Sequence, residues 1–330
     1  MRIKWQTFLI AIIAIFELGA FSISGRAQHS HKMATEKPQT EMTKTVYKTT
    51  KINGLDIFYR EAGDKTKPTI LLLHGFPTSS HMFRDLIPAL ADKFHLLAPD
   101  YPGFGLSSAP PVSEFDYTLE NLTNIVDQFA QTVGATKYSL YVQDYGAPVG
   151  FRLAVKHPER VQALIVQNGN AYEEGLSEKA APLKVYGPDR DPKLTEALRG
   201  FLKLETTKFQ YTHGTRKPTE ISPDNWLVDQ PLLDRAGNAE IQLNLFADYY
   251  TNVRAYPAWH AYFRQFQPPT LVVWGRNDPF FTVNGVQNGY QKDLKNIEVH
   301  YFETGHFALE EDAPAIAARI REFFAKQKIG

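Results

Sequence analysis

Short apolar runs, each bounded by turn-forming residues, predict most of the strands in this chain. Two alternating runs come first, over residues 46–52 and 55–61, and the Asn53-Gly54 pair between them is typical of a tight β-hairpin. Six further β-rich runs predict buried strands: TILLLH (69–74), HLLAP (95–99), YSLYVQ (138–143), ALIVQN (163–168), TLVVWG (270–275) and IEVHYF (297–302).

Helical patterns separate several of these strands. The first two of the six runs are followed by MFRDLIPALADKF (82–94) and by TLENLTNIVDQFAQTVG (118–134). Strands that alternate with helices indicate an α/β fold with a mostly parallel, doubly wound sheet. The leading hairpin is expected to add an antiparallel edge to that sheet.

One segment, residues 171–267, breaks the alternation. It contains no convincing core strand, but it has helical stretches such as LTEALRGFL (194–202) and IQLNLFADYY (241–250). A connection of this length is too long for a structureless loop inside a compact domain. We therefore predict a helical lid inserted into a core formed by residues 46–170 and 268–330.

The N-terminus has the layout of a secretory signal peptide, predicted over residues 1–27. Arg2 and Lys4 precede the apolar run at 8–16, and the small residues Gly25 and Ala27 fit a cleavage site after Ala27. The alternative is an uncleaved anchor, but the apolar run is far shorter than the roughly 20 residues of a membrane helix. Residues 28–45 are polar and aperiodic, which predicts a disordered lead-in. We expect an exported protein, periplasmic or secreted, with no membrane segment in the mature form.

Composition narrows the function classes. The 330 residues contain 36 basic and 36 acidic side chains and no basic run, so nothing indicates a nucleic-acid partner. The absence of cysteine excludes disulfides, thiolate nucleophiles and cysteine-bound metals. His29 and His31 are weak metal candidates, and the loop PGFGLSS (102–108) lacks the lysine of a phosphate loop. We expect no cofactor and no metal.

Three chemically capable residues stand directly after predicted strands. Asp144 lies in YVQDYGAP, Asp278 in GRNDPF and His306 in ETGHFALE. Each has a structural reading when it is taken alone: a turn aspartate, a helix N-cap and a satisfied buried histidine. The carboxyl ends of parallel strands meet at one edge of a sheet, so the three together predict an active site there.

This arrangement resembles the α/β-hydrolase superfamily across roughly residues 46–330. A nucleophile on a sharp turn between strand and helix, then an acid, then a histidine is the chain order of that family. The loop HGFP (74–77) follows a buried strand where the family places part of its oxyanion hole. One departure is Val142, which stands where the G-x-S-x-G pattern has its first glycine.

An aspartate in the nucleophile position resembles the epoxide hydrolase and haloalkane dehalogenase branch of the superfamily. A carboxylate is already ionised at neutral pH and can form an alkyl ester with a saturated carbon, which water then hydrolyses. Esterases, lactonases and peroxidases of this fold would need serine at position 144. The resemblance implies these roles: Asp144 as nucleophile, His306 as general base, Asp278 as the group that orients His306, and the backbone N–H groups of Phe76 and Tyr145 as the oxyanion hole.

The leaving group determines what else the site needs. Opening an epoxide produces an alkoxide that requires a donor, and in this branch lid tyrosines supply it. The candidates are Tyr249 in FADYYTN and Tyr186 in VYGPD. The alternative for each tyrosine is a purely structural role, in which its ring packs inside the lid.

Expelling a halide instead requires N–H donors. The dehalogenases carry HGNP in the first loop and tryptophan after the nucleophile, whereas this chain has Phe76 and Tyr145. Trp226 or Trp259 of the predicted lid would have to replace a missing donor.

We therefore predict an epoxide hydrolase that acts on a small hydrophobic substrate with water and yields a vicinal diol. The alternatives are a haloalkane dehalogenase with an atypical halide site and a catalytically silent ligand-binding protein on the same fold. The sequence does not indicate the oligomeric state.

Overall fold

The computed structural model describes residues 44–329. The predicted signal peptide, and the predicted lead-in up to residue 43, lie outside the described residues. All eight predicted strands are present in one sheet. They are β1 (Val46–Ile52), β2 (Leu55–Ala62), β3 (Thr69–Leu73), β4 (His95–Pro99), β5 (Tyr138–Gln143), β6 (Val161–Gln167), β7 (Thr270–Gly275) and β8 (Ile297–Phe302).

The sheet confirms the predicted fold class. Its strand order is β1-β2-β4-β3-β5-β6-β7-β8. Strand β2 runs antiparallel to both of its neighbours, and all other pairs are parallel. The hairpin between β1 and β2 turns at Asn53 and Gly54, whose φ angles of 51° and 83° are the positive values that a two-residue type I′ turn requires.

The strand order places a switch point between β3 and β5. From β3 the chain moves to β4 on one side, and it then crosses to β5 and continues outward to β8. The connections that leave β3 and β5 therefore diverge, and a crevice opens beyond the carboxyl ends of these two strands. Binding sites of doubly wound sheets form at this position.

The helices cover both faces of the sheet. They are α1 (Leu86–Leu90), α2 (Leu119–Thr132), α3 (Gly146–Lys156), α4 (Ala181–Val185), α5 (Pro192–Arg199), α6 (Leu204–Thr212), α7 (Asp224–Leu233), α8 (Asn238–Asp248), α9 (Tyr250–Phe266), α10 (Gln291–Asp293) and α11 (Leu309–Gln327).

Strand β3 shows how both faces are filled. Leu71 and Leu73 belong to the core shared with α2 and α3, whereas Ile70 and Leu72 belong to the core shared with α1 and α11. Successive side chains of a strand point to opposite faces, so an uninterrupted apolar run is what a sheet covered on both sides requires.

The helix predicted over residues 82–94 is much shorter than expected. The structure has a 3-10 turn at Ser80–Phe83 and then only α1, at Leu86–Leu90. Pro88 lies in the first turn of α1, the position that proline favours because it lacks an N–H, although α7 and α9 contain Pro231 and Pro257 in their interiors.

The segment between β6 and β7 is helical. It contains α4 to α9 and contributes none of the eight strands. In α9, Trp259 packs against Phe151 of α3 with their ring centroids 5.5 Å apart, so the insertion shares the core of the sheet domain. Within residues 44–329, no helix has both the length and the apolarity needed to cross a membrane.

Candidate active site

Asp144 occupies the sharp turn between β5 and α3. Its φ of 49° lies in the left-handed region, which is strained for a residue with a side chain. Gly146 makes the turn possible, because a Cβ there would lie 2.0 Å from the backbone oxygen of Leu73 in β3. The turn holds the Asp144 side chain at the carboxyl edge of the sheet, where 13% of it remains exposed.

The loop after β3 supplies a hydrogen-bond donor to this carboxylate. The backbone N–H of Phe76 donates to Oδ1 of Asp144 across 2.7 Å. Burial raises the pKa of Asp144 above its ordinary value, whereas His306 and the backbone N–H groups of Phe76 and Tyr145 favour the ionised form. Both N–H groups predicted for an oxyanion hole therefore act on the Asp144 carboxyl group.

His306 lies between two carboxylates. Its Nδ1 is 2.7 Å from Oδ2 of Asp278, and its Nε2 is 3.8 Å from Oδ2 of Asp144. The ring is almost completely buried. Burial lowers the pKa of His306, but Asp278 and Asp144 outweigh this effect, so the pKa lies above its ordinary value.

Asp278 is held in place by donors from its own loop and from the residue after β6. Its Oδ1 accepts hydrogen bonds from the backbone N–H groups of Phe280 (2.8 Å) and Phe281 (3.2 Å). Its Oδ2 accepts a bond from Nδ2 of Asn168 (2.8 Å) in addition to the contact with His306. These donors orient the carboxylate toward Nδ1 of the imidazole.

Asn168 is a site residue that sequence reasoning missed. It stands directly after β6 with a φ of 44°, is completely buried, and exchanges two hydrogen bonds with the backbone of Gly275. An amide directly after a buried strand could have drawn attention to Asn168, because buried polar side chains are almost always hydrogen-bonded.

The structure thus brings Asp144, His306 and Asp278 to one place from the ends of three strands. The Asp144 carboxyl group lies beside a histidine whose far nitrogen is bonded to a second carboxylate. Such a group can attack an electrophilic carbon, and the histidine can then take a proton from water.

A small, largely apolar cavity of about 30 Å³ lies next to Asp144. The sheet domain contributes Phe76, Asp144, Tyr145, Phe280 and Phe281 to its wall, and the helical insertion contributes Ala180, Leu183, Phe201, Gln210, Phe246 and Tyr249. The insertion therefore covers the carboxylate, and the apolar wall suits a small hydrophobic ligand.

The two predicted lid tyrosines occupy different environments. Tyr249 lines the cavity, and burial raises its pKa well above the ordinary value, so it is a protonated donor at neutral pH. Tyr186 is not part of the cavity wall, and its hydroxyl group bonds Oγ1 of Thr195 at 2.9 Å. Trp226 and Trp259 do not line the cavity either.

Two glutamines near the site also escaped sequence reasoning. Gln210 lines the cavity, and its buried amide nitrogen has no hydrogen-bond partner among residues 44–329. Gln143, directly before Asp144, is completely buried, and its amide nitrogen lies 2.9 Å from Nε2 of His306. Glutamine carries no distinctive motif, so only its position beside Asp144 could have drawn attention to Gln143.

The part of the chain that the structure describes contains no cluster of three or more histidine or carboxylate side chains suited to a metal ion. His29 and His31 lie outside it.

Residues 68–313 match the family model for the alpha/beta hydrolase fold. The chain belongs to the α/β-hydrolase family. An uncharacterized hydrolase of Saccharomyces cerevisiae is 44% identical over 278 residues, which cover 83% of this chain and 95% of that relative.

Two further relatives narrow the placement of this α/β-hydrolase. Haloalkane dehalogenase 2 of Mycobacterium tuberculosis is 31% identical over 280 residues, 81% of this chain and 91% of the relative. Epoxide hydrolase 4 of Homo sapiens is 26% identical over 321 residues, 92% of this chain and 86% of the relative. The protein is a hydrolase of the branch that includes dehalogenases and epoxide hydrolases.

Proposed function

We propose that this hydrolase converts a small hydrophobic epoxide to a vicinal diol through an ester on Asp144. The observation that carries the proposal is the asymmetry of the Asp144 carboxylate. Its Oδ1 is held by the N–H of Phe76, whereas its Oδ2 lies 3.8 Å from His306 Nε2. Tyr249 lines the same cavity.

In the first half-reaction, Oδ2 of Asp144 attacks a ring carbon of the epoxide. The bond between that carbon and the ring oxygen breaks, and the electron pair stays on the oxygen. Tyr249 donates a proton to the resulting alkoxide, which would otherwise be too basic to leave. The product is a hydroxyalkyl ester of Asp144.

In the second half-reaction, Nε2 of His306 takes a proton from water, and the hydroxide attacks Cγ of Asp144. The charge that develops on Oδ1 is stabilised by the N–H groups of Phe76 and Tyr145. The bond between Cγ and Oδ2 then breaks, and Oδ2 takes the proton from His306 as it leaves with the diol. The proton of the newly formed Asp144 carboxyl group returns to Tyr249, which restores both groups. The ring of His306 becomes positively charged in this step, and Asp278 stabilises that charge.

A trapping experiment tests the mechanism. In His306→Gln, ester formation should proceed and hydrolysis should stall, so intact mass spectrometry should show the protein plus one epoxide. Asp144→Asn is the matched control and should form no adduct. A single wild-type turnover in heavy-oxygen water should place the label in the Asp144 carboxyl group, and an unlabelled carboxyl group would refute the ester mechanism.

Haloalkane dehalogenation is the second candidate. It is favoured by the 31% identity to a dehalogenase and by the N–H donor of Gln210. This donor has no hydrogen-bond partner among residues 44–329, and it suits a departing halide better than an alkoxide. An amide can donate a hydrogen bond to a halide, but it cannot protonate an alkoxide.

Small brominated alkanes distinguish the two reactions. Bromide release without diol formation from epoxides would establish the dehalogenase. If neither substrate class yields an adduct in His306→Gln, the remaining alternative is a ligand-binding protein without catalysis.

We further propose that the protein is exported and cleaved after Ala27. The layout of residues 1–27 supports this proposal. N-terminal sequencing of the mature protein, after expression of the full chain in a bacterial host with a periplasm, should begin at Gln28. Recovery of the intact chain from the cytoplasm would contradict it.

A further inference from the structure

Gln143 contacts the nitrogen of His306 that the proposed mechanism uses as a base. It is the last residue of β5, and its amide nitrogen lies 2.9 Å from Nε2 of the imidazole. A carboxylate can only accept a hydrogen bond, so Nδ1, at 2.7 Å from Asp278, carries the proton of a neutral ring. An amide nitrogen can only donate, so Nε2 presents a lone pair to Gln143.

The surroundings of His306 otherwise favour its charged form. The charged groups that face the ring are Asp278, which follows β7, and Asp144, which follows β5, and both carboxylates raise the pKa of His306. A protonated imidazole cannot take a proton from water. Three phenylalanine rings pack around the rest of the imidazole: Phe280, Phe281 and Phe307.

The Gln143 N–H opposes protonation of His306. If Nε2 acquired a proton, two N–H groups would face each other across 2.9 Å, and the hydrogen bond would be lost. The contact between Gln143 and His306 therefore stabilises the neutral form of the ring.

We propose that Gln143 is a positioning residue that keeps His306 neutral and its Nε2 lone pair available for the hydrolytic water. The inference rests on the proposed ester mechanism, because ester hydrolysis is the step that uses His306 as a base. The amide N–H occupies the direction from which a water O–H must approach Nε2. When the hydrolytic water displaces the Gln143 N–H, its O–H replaces the amide as the donor to Nε2. The Nε2 lone pair of His306 already has the orientation that this hydrogen bond requires.

Replacing Gln143 by methionine removes the donor and keeps a side chain of similar length. The pKa of His306 should then rise by about one unit, since a neutral hydrogen bond contributes on the order of 1 kcal/mol. Below that pKa, ester hydrolysis should slow about tenfold, and it should recover at higher pH. Ester formation by Asp144 should change much less. Gln143→Glu places an acceptor at Nε2 and should shift the pKa upward further than methionine does.

Gln167 provides a matched control. It is also a fully buried glutamine at the end of a strand, β6, but its amide nitrogen lies 3.5 Å from the backbone oxygen of His306 rather than near the ring. Gln167→Met should leave the pKa of His306 and the pH profile of ester hydrolysis unchanged. A general packing defect would affect both variants alike.

Two measurements separate this inference from the proposed function. Nitrogen-15 NMR titration of His306 in the free enzyme needs no substrate, and it should show the pKa rising in Gln143→Met and Gln143→Glu but not in Gln167→Met. Quenched single-turnover mass spectrometry then follows the ester against pH. An unchanged pKa in both Gln143 variants, or an equal shift in Gln167→Met, would overturn the inference, whereas failure of His306→Gln to trap any ester would overturn the proposed function.

Discussion

Gly75 lies against Asp144, and adding a single methyl group there should disable the proposed oxyanion hole. A Cβ on Gly75 would lie 2.2 Å from Cβ and 2.6 Å from Oδ1 of Asp144. Carbon atoms without a bond between them settle at about 3.5–4.0 Å, so in Gly75→Ala the two residues must separate by more than about 1 Å. The loop after β3 and the strained turn after β5 must absorb this displacement.

The displacement acts directly on the N–H donor of Phe76. Its bond to Asp144 Oδ1 is 2.7 Å long, and an added 1 Å takes it beyond the range of a hydrogen bond. Loss of one oxyanion donor typically slows a reaction by about 10²–10³, or roughly 3–4 kcal/mol. The negative charge on Oδ1 develops during ester hydrolysis, so this step should slow more than ester formation.

Quenched single-turnover mass spectrometry of Gly75→Ala should therefore show an ester that accumulates with an epoxide substrate, as in His306→Gln. The matched control is Gly200→Ala, because Gly200 has a φ of −60° and a Cβ there meets nothing within 4 Å. Thermal unfolding of both variants checks that the fold persists. If folded Gly75→Ala hydrolyses its ester at the wild-type rate, the Phe76 N–H does not stabilise the transition state.

Three further predictions concern the supports of the site and the fold. Asn168→Ala removes the bond to Asp278 and two backbone bonds; it should lower the free energy of unfolding in urea by about 3 kcal/mol and slow ester hydrolysis. Arg84→Met removes the guanidinium group that lies 2.7 Å from the buried carboxylate of Glu310. It should lower the free energy of unfolding in the same assay by about 3 kcal/mol, which is more than the loss expected when both side chains are removed together. Burial alone would raise the pKa of Glu61, but hydrogen bonds to a lysine and a histidine hold it at about 2 against an ordinary 4.5. Its stabilising effect is therefore complete above pH 4.5 and is lost between about pH 4.5 and 2, so urea unfolding of Glu61→Gln should depend less on pH in that window.

The strands and the edge of the sheet where the site lies were predictable from sequence. Apolar runs such as TILLLH and TLVVWG report burial on both faces, which is a local property of a parallel strand. Asp144, Asp278 and His306 each follow such a run, and the carboxyl ends of parallel strands share one edge. Their convergence therefore needed no information about side-chain packing.

The length of α1 was also readable from the sequence but was predicted wrongly. The apolar spacing of residues 82–94 favours a longer helix, whereas Pro88 limits where a helix can begin.

The lining of the cavity by the helical insertion and the hydrogen bonds of the site could not be predicted from sequence. Tyr249 and Tyr186 both stand in helical or turn-rich segments and look equivalent in sequence, yet only Tyr249 lines the cavity. Which side of a helix faces a cavity depends on how several helices pack against one another and against the sheet. Spacing along the chain does not contain that information.

The chain order of strands, helices and reactive residues determined the fold class, the edge of the sheet where the site forms and the chemistry that a carboxylate at position 144 makes available. Tertiary structure alone decided that Asn168 holds Asp278, that Gln143 donates to His306 and that Gln210 lines the cavity. The physical reason is range: strand periodicity arises between neighbours in sequence, whereas a hydrogen bond of 3 Å between residues far apart in the chain exists only after the whole sheet has formed.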